Sequence, residues 1–202
     1  MRAMTGNGRS ASTAQKILDV GERLIQVRGY NGFSYADIAD ALQVTKASLH
    51  YHFPSKAELG RRLMERYTEN FIAALAGLDA ARPTAREQLR GYVSIYSDVL
   101  ANNRMCLCGM LAAEYATLPK SMKSEVTRFF DANETWLAGV LERGSRTERF
   151  QIAGSPADAA RGVIAALEGA MMLARVYGEP ERFERAARSL LADVTGAALA
   201  RT

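Results

Sequence analysis

The sequence predicts an all-α fold: a small N-terminal unit of three helices followed by a larger helical unit. Apolar residues recur at three- and four-residue spacing through most of the chain, which is the period of a helix face. Only 5 prolines interrupt 202 residues, and alanine, the strongest helix former, is abundant. No segment alternates as a strand would, and no internal repeat is evident.

Residues 1–12, MRAMTGNGRSAS, read as a flexible polar tail. A first helix is expected from Ser12 or Thr13 to about Arg28, with Ile17, Leu18, Gly21, Leu24 and Ile25 as its buried stripe and Gly29 as its terminator. Tyr30 and Phe33 bracket a turn and are expected to plug a small core. Ser34 caps a second helix, and Asp37 three residues on completes a capping-box pattern. Ile38, Ala39 and Leu42 form its inner face. Gln43-Val44 makes a tight turn, and Thr45 caps a third helix from Lys46 to about Tyr51. A helix that short is unstable alone, so Leu49 and Phe53 must clamp it.

Ser55 caps the next helix, expected to reach about Ala76 with Leu59, Leu63, Tyr67 and Phe71 inside; Gly77 and Arg82-Pro83 are expected to break it. Further helices are expected over 84–101, Cys106–Leu118 and from Pro119 to about Glu142, with 143–154 as a loop. Ser155, Pro156 and Asp158 form a strong start for a helix to about Tyr177. After the Gly178-Glu179-Pro180 turn, a last helix is expected from about Glu181 to Ala200.

Composition narrows the function. Hydrophobic residues make up 48% and charged residues 24%, with a formal net charge of +4, a balance that permits nucleic-acid binding without requiring it. No run approaches the roughly 18 apolar residues of a membrane span, and the N-terminus lacks the apolar run of a signal peptide, so a cytoplasmic protein with no membrane partner is expected. Cys106 and Cys108, two apart, would point in different directions on a helix, which disfavours a disulfide between them. Two cysteines cannot make a four-cysteine zinc site, and His50 and His52 lack neighbouring acidic or thiol ligands, so no metal and no cofactor are expected. The chain's only histidines are these two, which leaves no Ser/His/acid or Cys/His arrangement for catalysis.

The stretch Ser34–Lys56 has the form of a helix-turn-helix. A helix that enters a major groove must be short, rigidly held and polar outside. With Leu49 inside, Lys46, Ala47, Ser48 and His50 look outward; Thr45, Lys46, Ala47 and His50 are placed to read bases, with Lys46 alternatively on a phosphate. Tyr51, His52 and Lys56 are placed to meet phosphates, and Ser34 and Tyr35 to meet the backbone on the other side. Taken singly, each of these residues has an ordinary surface or packing explanation. Their ordered combination is far more specific.

That combination resembles the DNA-binding domain of the TetR family of bacterial transcriptional regulators over residues 13–60. The match runs from Gly29-Tyr30-Asn31 through Phe33-Ser34, Asp37-Ile38-Ala39 and Val44-Thr45-Lys46 to Leu49-His50-Tyr51-His52-Phe53 and Ser55-Lys56. His50 stands where many relatives carry tyrosine, and Gln43 where many carry glycine. The resemblance implies DNA contacts at Lys46, His50, Tyr51, His52 and Lys56, with Tyr35 and Thr45 near the backbone. It also implies a helix-turn-helix domain over 13–57, joined by helix 55–76 to a ligand-binding and dimerisation domain over 58–202. A homodimer through helices near 156–177 and 181–199 would bind a palindromic double-stranded operator.

The middle of the chain would then hold a small-molecule effector. Its candidate wall comprises Tyr92, Tyr96, Met105, Cys108, Met110, Tyr115, Phe129, Trp136, Met171 and Tyr177, although aromatic and methionine residues at helical spacing are commonly plain core. The leading expectation is a repressor released by an apolar or aromatic effector. One alternative is an electrophile- or redox-sensing repressor acting through Cys106 or Cys108; another is a helical adaptor without DNA binding.

Overall fold

The computed structural model describes residues 12–196, and among these every regular element is helical. The order is α1 (Thr13–Arg28), α2 (Tyr35–Leu42), α3 (Lys46–His52), α4 (Lys56–Ala81), α5 (Ala85–Ala101), α6 (Leu107–Ala113), α7 (Lys120–Thr147), α8 (Pro156–Tyr177) and α9 (Pro180–Thr195), with a single 3-10 turn at Tyr115–Thr117 before α7. The expected tail up to Ala11, and the expected helical residues beyond Gly196, lie outside the described residues.

The N-terminal helices begin and end where local chemistry dictates. The Ser12 hydroxyl accepts the Gln15 N–H, and Gly29 closes α1 at φ 82°, a left-hand value that suits glycine. Ser34 and Asp37 form the full capping box of α2, with the Ser34 N–H donating to the Asp37 carboxylate at 2.7 Å. Thr45 caps α3 and Ser55 caps α4. Leu49 is fully buried and Phe53 nearly so, so the seven-residue α3 is held by packing.

The long helix α4 joins the N-terminal head to the rest. Leu59, Gly60, Leu63 and Met64 are buried at the head end, and Phe71 and Leu75 farther along. Its 26 residues span about 39 Å. The expected stop near Ala76 is corrected to Ala81. Gly77 sits on an open face, and Leu75 and Leu78 pack on either side of it, which outweighs glycine's modest helix penalty. The true stop is Pro83, which disfavours helical geometry at the residue before it; Arg82 is extended.

Two other expected boundaries move for similar reasons. The helix expected over Cys106–Leu118 is only Leu107–Ala113 followed by the 3-10 turn: at Glu114 the backbone tightens, its N–H bonding to the Leu111 carbonyl three residues back, while its carboxylate bonds to the backbone amides of Tyr30 and Asn31. The helix expected to end at Glu142 continues to Thr147, so part of the expected 143–154 loop is helical. Gly144 is a packing residue there: a Cβ would lie 2.2 Å from the Phe150 ring, which folds back against it. Arg149, at φ 60°, then makes the turn.

In the body, α7 packs on α4 and α8, α8 on α9, and α5 on α7 and α9. α1 packs against both α4 and α6, so the head touches the body through more than the α4 connection.

Candidate nucleic-acid interface and effector cavity

The α2–turn–α3 unit presents its polar residues as the sequence pattern requires. Thr45, Lys46, Ala47, His50 and Tyr51 are exposed, Tyr51 at 84%, while Ser48 and His52 are half-buried. Gln43 makes the turn in the left-handed conformation at φ 54°, and its side-chain amide donates back to the Asp40 carbonyl. Beside α3 lies an open notch of about 400 Å3 lined by Phe33, Ser34, Tyr35, Ala36, Lys46, His50 and Lys56. The notch sits at the N-terminus of α2, where amide N–H groups and the helix dipole favour an anion. Lys46 and Lys56 add positive charge. Asp37, at the start of α2, is held below the usual carboxylate range by its hydrogen bonds with Ser34, helped by Arg28 at 3.2 Å.

His50 is fixed as well as exposed. Its Nδ1 lies 3.2 Å from the Pro54 carbonyl, and its ring packs at 4.8 Å from Tyr35. A carbonyl can only accept, so this contact assigns a proton to Nδ1 and, in the neutral ring, leaves Nε2 as the acceptor.

Two of the expected DNA-contact residues have internal duties. Tyr35 is buried, and its hydroxyl donates to the Phe53 carbonyl at 2.8 Å. Burial pushes this phenol up to about 12. Besides the expected place near the DNA backbone, Tyr35 thus has an internal duty: its hydroxyl ties the end of α3 to α2. For Lys56 the expectation is a simple phosphate contact. Its ammonium instead donates to the Phe33 carbonyl and lies over the Tyr30 and Phe33 rings at 4.6 and 4.3 Å. Burial lowers its pKa. It still lines the notch, but it is first a bolt across the α1–α2 turn.

The body contains a small apolar cavity lined by Tyr67, Phe71, Ile95, Tyr96, Val99, Cys106, Phe129 and Met171. Its free core is about 10 Å3, room for about one water. Of the expected effector residues, Tyr96, Phe129 and Met171 meet here. Tyr92, Met105 and Cys108 are buried, and Met110 and Trp136 are half-buried against the core. Tyr92 bonds to Asn133 at 2.8 Å and to Tyr96 at 3.0 Å, and Trp136 stacks on Tyr92 while donating to Asp79 at 2.9 Å.

Tyr115 and Tyr177 do not join them. Tyr115 is a surface residue of the 3-10 turn beside Lys123, and Tyr177 lies exposed on α8 under Arg182. Aromaticity alone suggested both, and it does not reveal which face of a helix a residue occupies.

The sequence pattern missed Asn133 and Glu168. Glu168 is the only acid between Asp158 and Glu179, a signal that was readable. Burial pushes its carboxyl well above the ordinary range, and its Oε1 has no hydrogen-bond partner. Cys106 and Cys108 are buried free thiols. Cys106 is the residue before α6, so only Cys108 is helical, and the two thiols are not joined in a disulfide. Neighbouring Cys108, Glu168 and the backbone amides of Gly109 and Cys108 pull the Cys106 thiol down against burial, whereas burial pushes Cys108 up.

Comparisons with known proteins agree with this geometry. Residues 17–63 match the family described as bacterial regulatory proteins, tetR family, and residues 84–190 match the tetracyclin repressor-like C-terminal domain. A TetR-family transcriptional regulator from Agrobacterium tumefaciens is 35% identical, covers 90% of this chain and 97% of its own, and superimposes with a TM-score of 0.87. A TetR transcriptional regulator from Legionella pneumophila is 33% identical over 92% of this chain and 99% of its own, with a TM-score of 0.84. The HTH-type transcriptional repressor NemR of Escherichia coli K12 is 24% identical over 86% of this chain and 89% of its own length. Two family matches that together span head and body, and close structural relatives over nine-tenths of the chain, place this protein in the TetR family, as a DNA-binding transcriptional regulator and not an enzyme.

Proposed function

We propose that this protein represses transcription as a homodimer on a palindromic operator and releases the DNA when a small apolar or aromatic effector enters the body. The observation that carries the DNA half is the exposed face of α3 beside a basic notch at the start of α2. In this reading Thr45, Lys46, Ala47, Ser48 and His50 face base edges in the major groove. Ser34, Tyr51, His52 and the free side of Lys56 meet phosphates. His50 Nε2 accepts a hydrogen bond from a base when the ring is neutral. The functional division falls within α4, with residues 13–57 serving DNA and residues 58–202 serving effector and dimer.

The dimer reading rests on α8, whose outer face exposes Met172, Leu173, Val176 and Tyr177, a run of large apolar side chains next to small ones. A second copy seated there with α9 makes a four-helix interface and sets two α3 helices about one DNA turn apart. The effector reading rests on the cavity around Tyr96, Phe129 and Met171, which must open to admit more than one water. A single covalent variant of this mechanism has specific support. Cys106 lines the cavity and its thiol is pulled down by its neighbours, so it is the residue through which an electrophile or oxidant would act. The similarity to NemR, one of whose solved structures is described as the reduced form, is compatible with that variant.

Gel shifts with duplexes from around its own gene, repeated at rising salt, test the main reading. Selective binding that weakens steeply with salt is expected, with a logarithmic slope of about −0.9 per phosphate neutralised. Absence of any salt-sensitive duplex binding would instead favour an adaptor without DNA binding, and equal binding to all duplexes would count against the operator reading. If the protein responds to an oxidant or electrophile, Cys106→Ser or Cys108→Ser is expected to abolish that response; a response retained in both variants would remove the covalent mechanism.

A further inference from the structure

The last turn of α1 is closed by side chains that belong to the body. A helix leaves its final carbonyls without partners inside the helix. Here the Gln26 carbonyl accepts from the Met105 N–H at 3.2 Å and from Arg175 at 3.1 Å, and the Val27 carbonyl accepts from Arg175 as well. The Gln26 side chain, itself buried, accepts from Arg104 at 3.3 Å. Just past the helix end, the Glu114 carboxylate accepts the N–H of Tyr30 at 2.5 Å and of Asn31 at 3.3 Å. Asn31 also donates to Thr117 at 2.8 Å. Gly29 lies against the same carboxylate, and a Cβ on it would stand 2.7 Å from Glu114 Oε1.

The polarity is complementary. A guanidinium meets the negative end of α1, and a carboxylate meets the backbone N–H groups that follow it. These bonds join residues 78 to 149 positions apart. They bind the head at a point away from α4, so head and body are held at two places and cannot pivot freely about the long helix. The contacts on the Gln26 carbonyl adjoin the cavity. Met171, one helical turn before Arg175 on α8, is a wall residue, and so is Cys106, next to Met105.

We infer that Glu114 and Arg175 are positioning residues that clasp α1 and thereby set the angle of the DNA-binding head against the body. This rests on the regulator reading above. In a dimer, the clasp fixes the spacing of the two α3 helices, because α8 carries both Arg175 and the exposed apolar face. An effector that displaces Met171 or Cys106 acts on this clasp directly.

The test uses full-length Glu114→Ala, Arg175→Met and the near-isosteric Glu114→Gln. Amide hydrogen exchange is read in peptides covering 26–33 and 46–53. Binding is read by fluorescence anisotropy, for a duplex from the upstream region of the gene and for the same duplex lengthened by a few base pairs at the centre of its palindrome. Exchange at 26–33 is expected to rise about tenfold in the Ala and Met variants and less in the Gln variant, with 46–53 still protected. The preference for the unlengthened duplex is expected to shrink toward unity, since a freed head tolerates wrong spacing. Simple destabilisation would weaken both duplexes alike and leave that preference intact. Unchanged exchange at 26–33, or an unchanged spacing preference, would overturn the inference. If the wild type binds no duplex selectively, the regulator reading fails, while the exchange measurement still decides whether the clasp holds α1.

Discussion

Tyr35 and Glu168 are two residues whose surroundings change their chemistry in ways that single substitutions can test. The Tyr35 hydroxyl is the link between α2 and the end of α3, so Tyr35→Phe leaves the Phe53 carbonyl without that partner. Its expected cost is about 1–2 kcal/mol in urea unfolding, with faster amide exchange in α3 and weaker binding of specific DNA. Glu168 is neutral in the folded protein because burial raises its pKa. Below the unfolded-state pKa both states carry the proton and its titration costs nothing. As pH rises past that value the unfolded carboxyl ionises and the folded one does not, so stability is lost until the folded pKa is reached. Glu168→Gln is therefore expected to stabilise the protein by about 2 kcal/mol near neutral pH, with the gain vanishing toward pH ~4. Thermal melts across that range check this; a gain independent of pH would mean that Glu168 is ionised in the fold.

Among the elements, α3 shows how little of a recognition helix is self-supporting. Its seven residues depend on the Thr45 cap, buried Leu49 and the turn made by Gln43. A non-glycine residue in the left-handed region is strained, and here the Gln43–Asp40 hydrogen bond offsets part of that cost. Gln43→Gly is expected to stabilise the head by a modest ~0.5 kcal/mol, readable as a higher urea midpoint. The end of α7 makes the opposite case. Gly144→Ala puts a methyl where the Phe150 ring lies and is expected to cost about 2 kcal/mol, although alanine is the better helix former. Urea unfolding separates the two expectations by sign. Capping residues and apolar periods made most of these elements legible in the sequence. The errors fell at Gly77 and near Gly144, where a glycine suggested a stop but long-range packing kept the helix intact, and at Glu114, where α6 ended sooner than its apolar pattern suggested.

At the scale of the molecule, the open apolar face of α8 is the main apolar feature that the described part of the single chain leaves uncovered. Val176 is 78% exposed, so Val176→Asp should do little to the folded monomer. In a dimer seated on α8 it would bury a charge without a partner. The variant is expected to sediment as a monomer and to bind operator duplexes at least about tenfold more weakly, because a single head loses the second half-site. A dimer of unchanged stability would move the interface elsewhere.

The helical class, the caps that start α2, α3, α4 and α8, and the outward residues of α3 could all be read from the chain alone, because they depend on neighbours within about four positions. What the side chains do once distant segments meet was settled only by packing. It turned the Tyr35 hydroxyl inward, laid Lys56 across two aromatic rings, brought Cys106, Cys108 and Glu168 together, and set Glu114 and Arg175 on the end of α1. Each of these depends on partners tens of residues away or on a helix boundary fixed by packing, and no local pattern encodes such a distance.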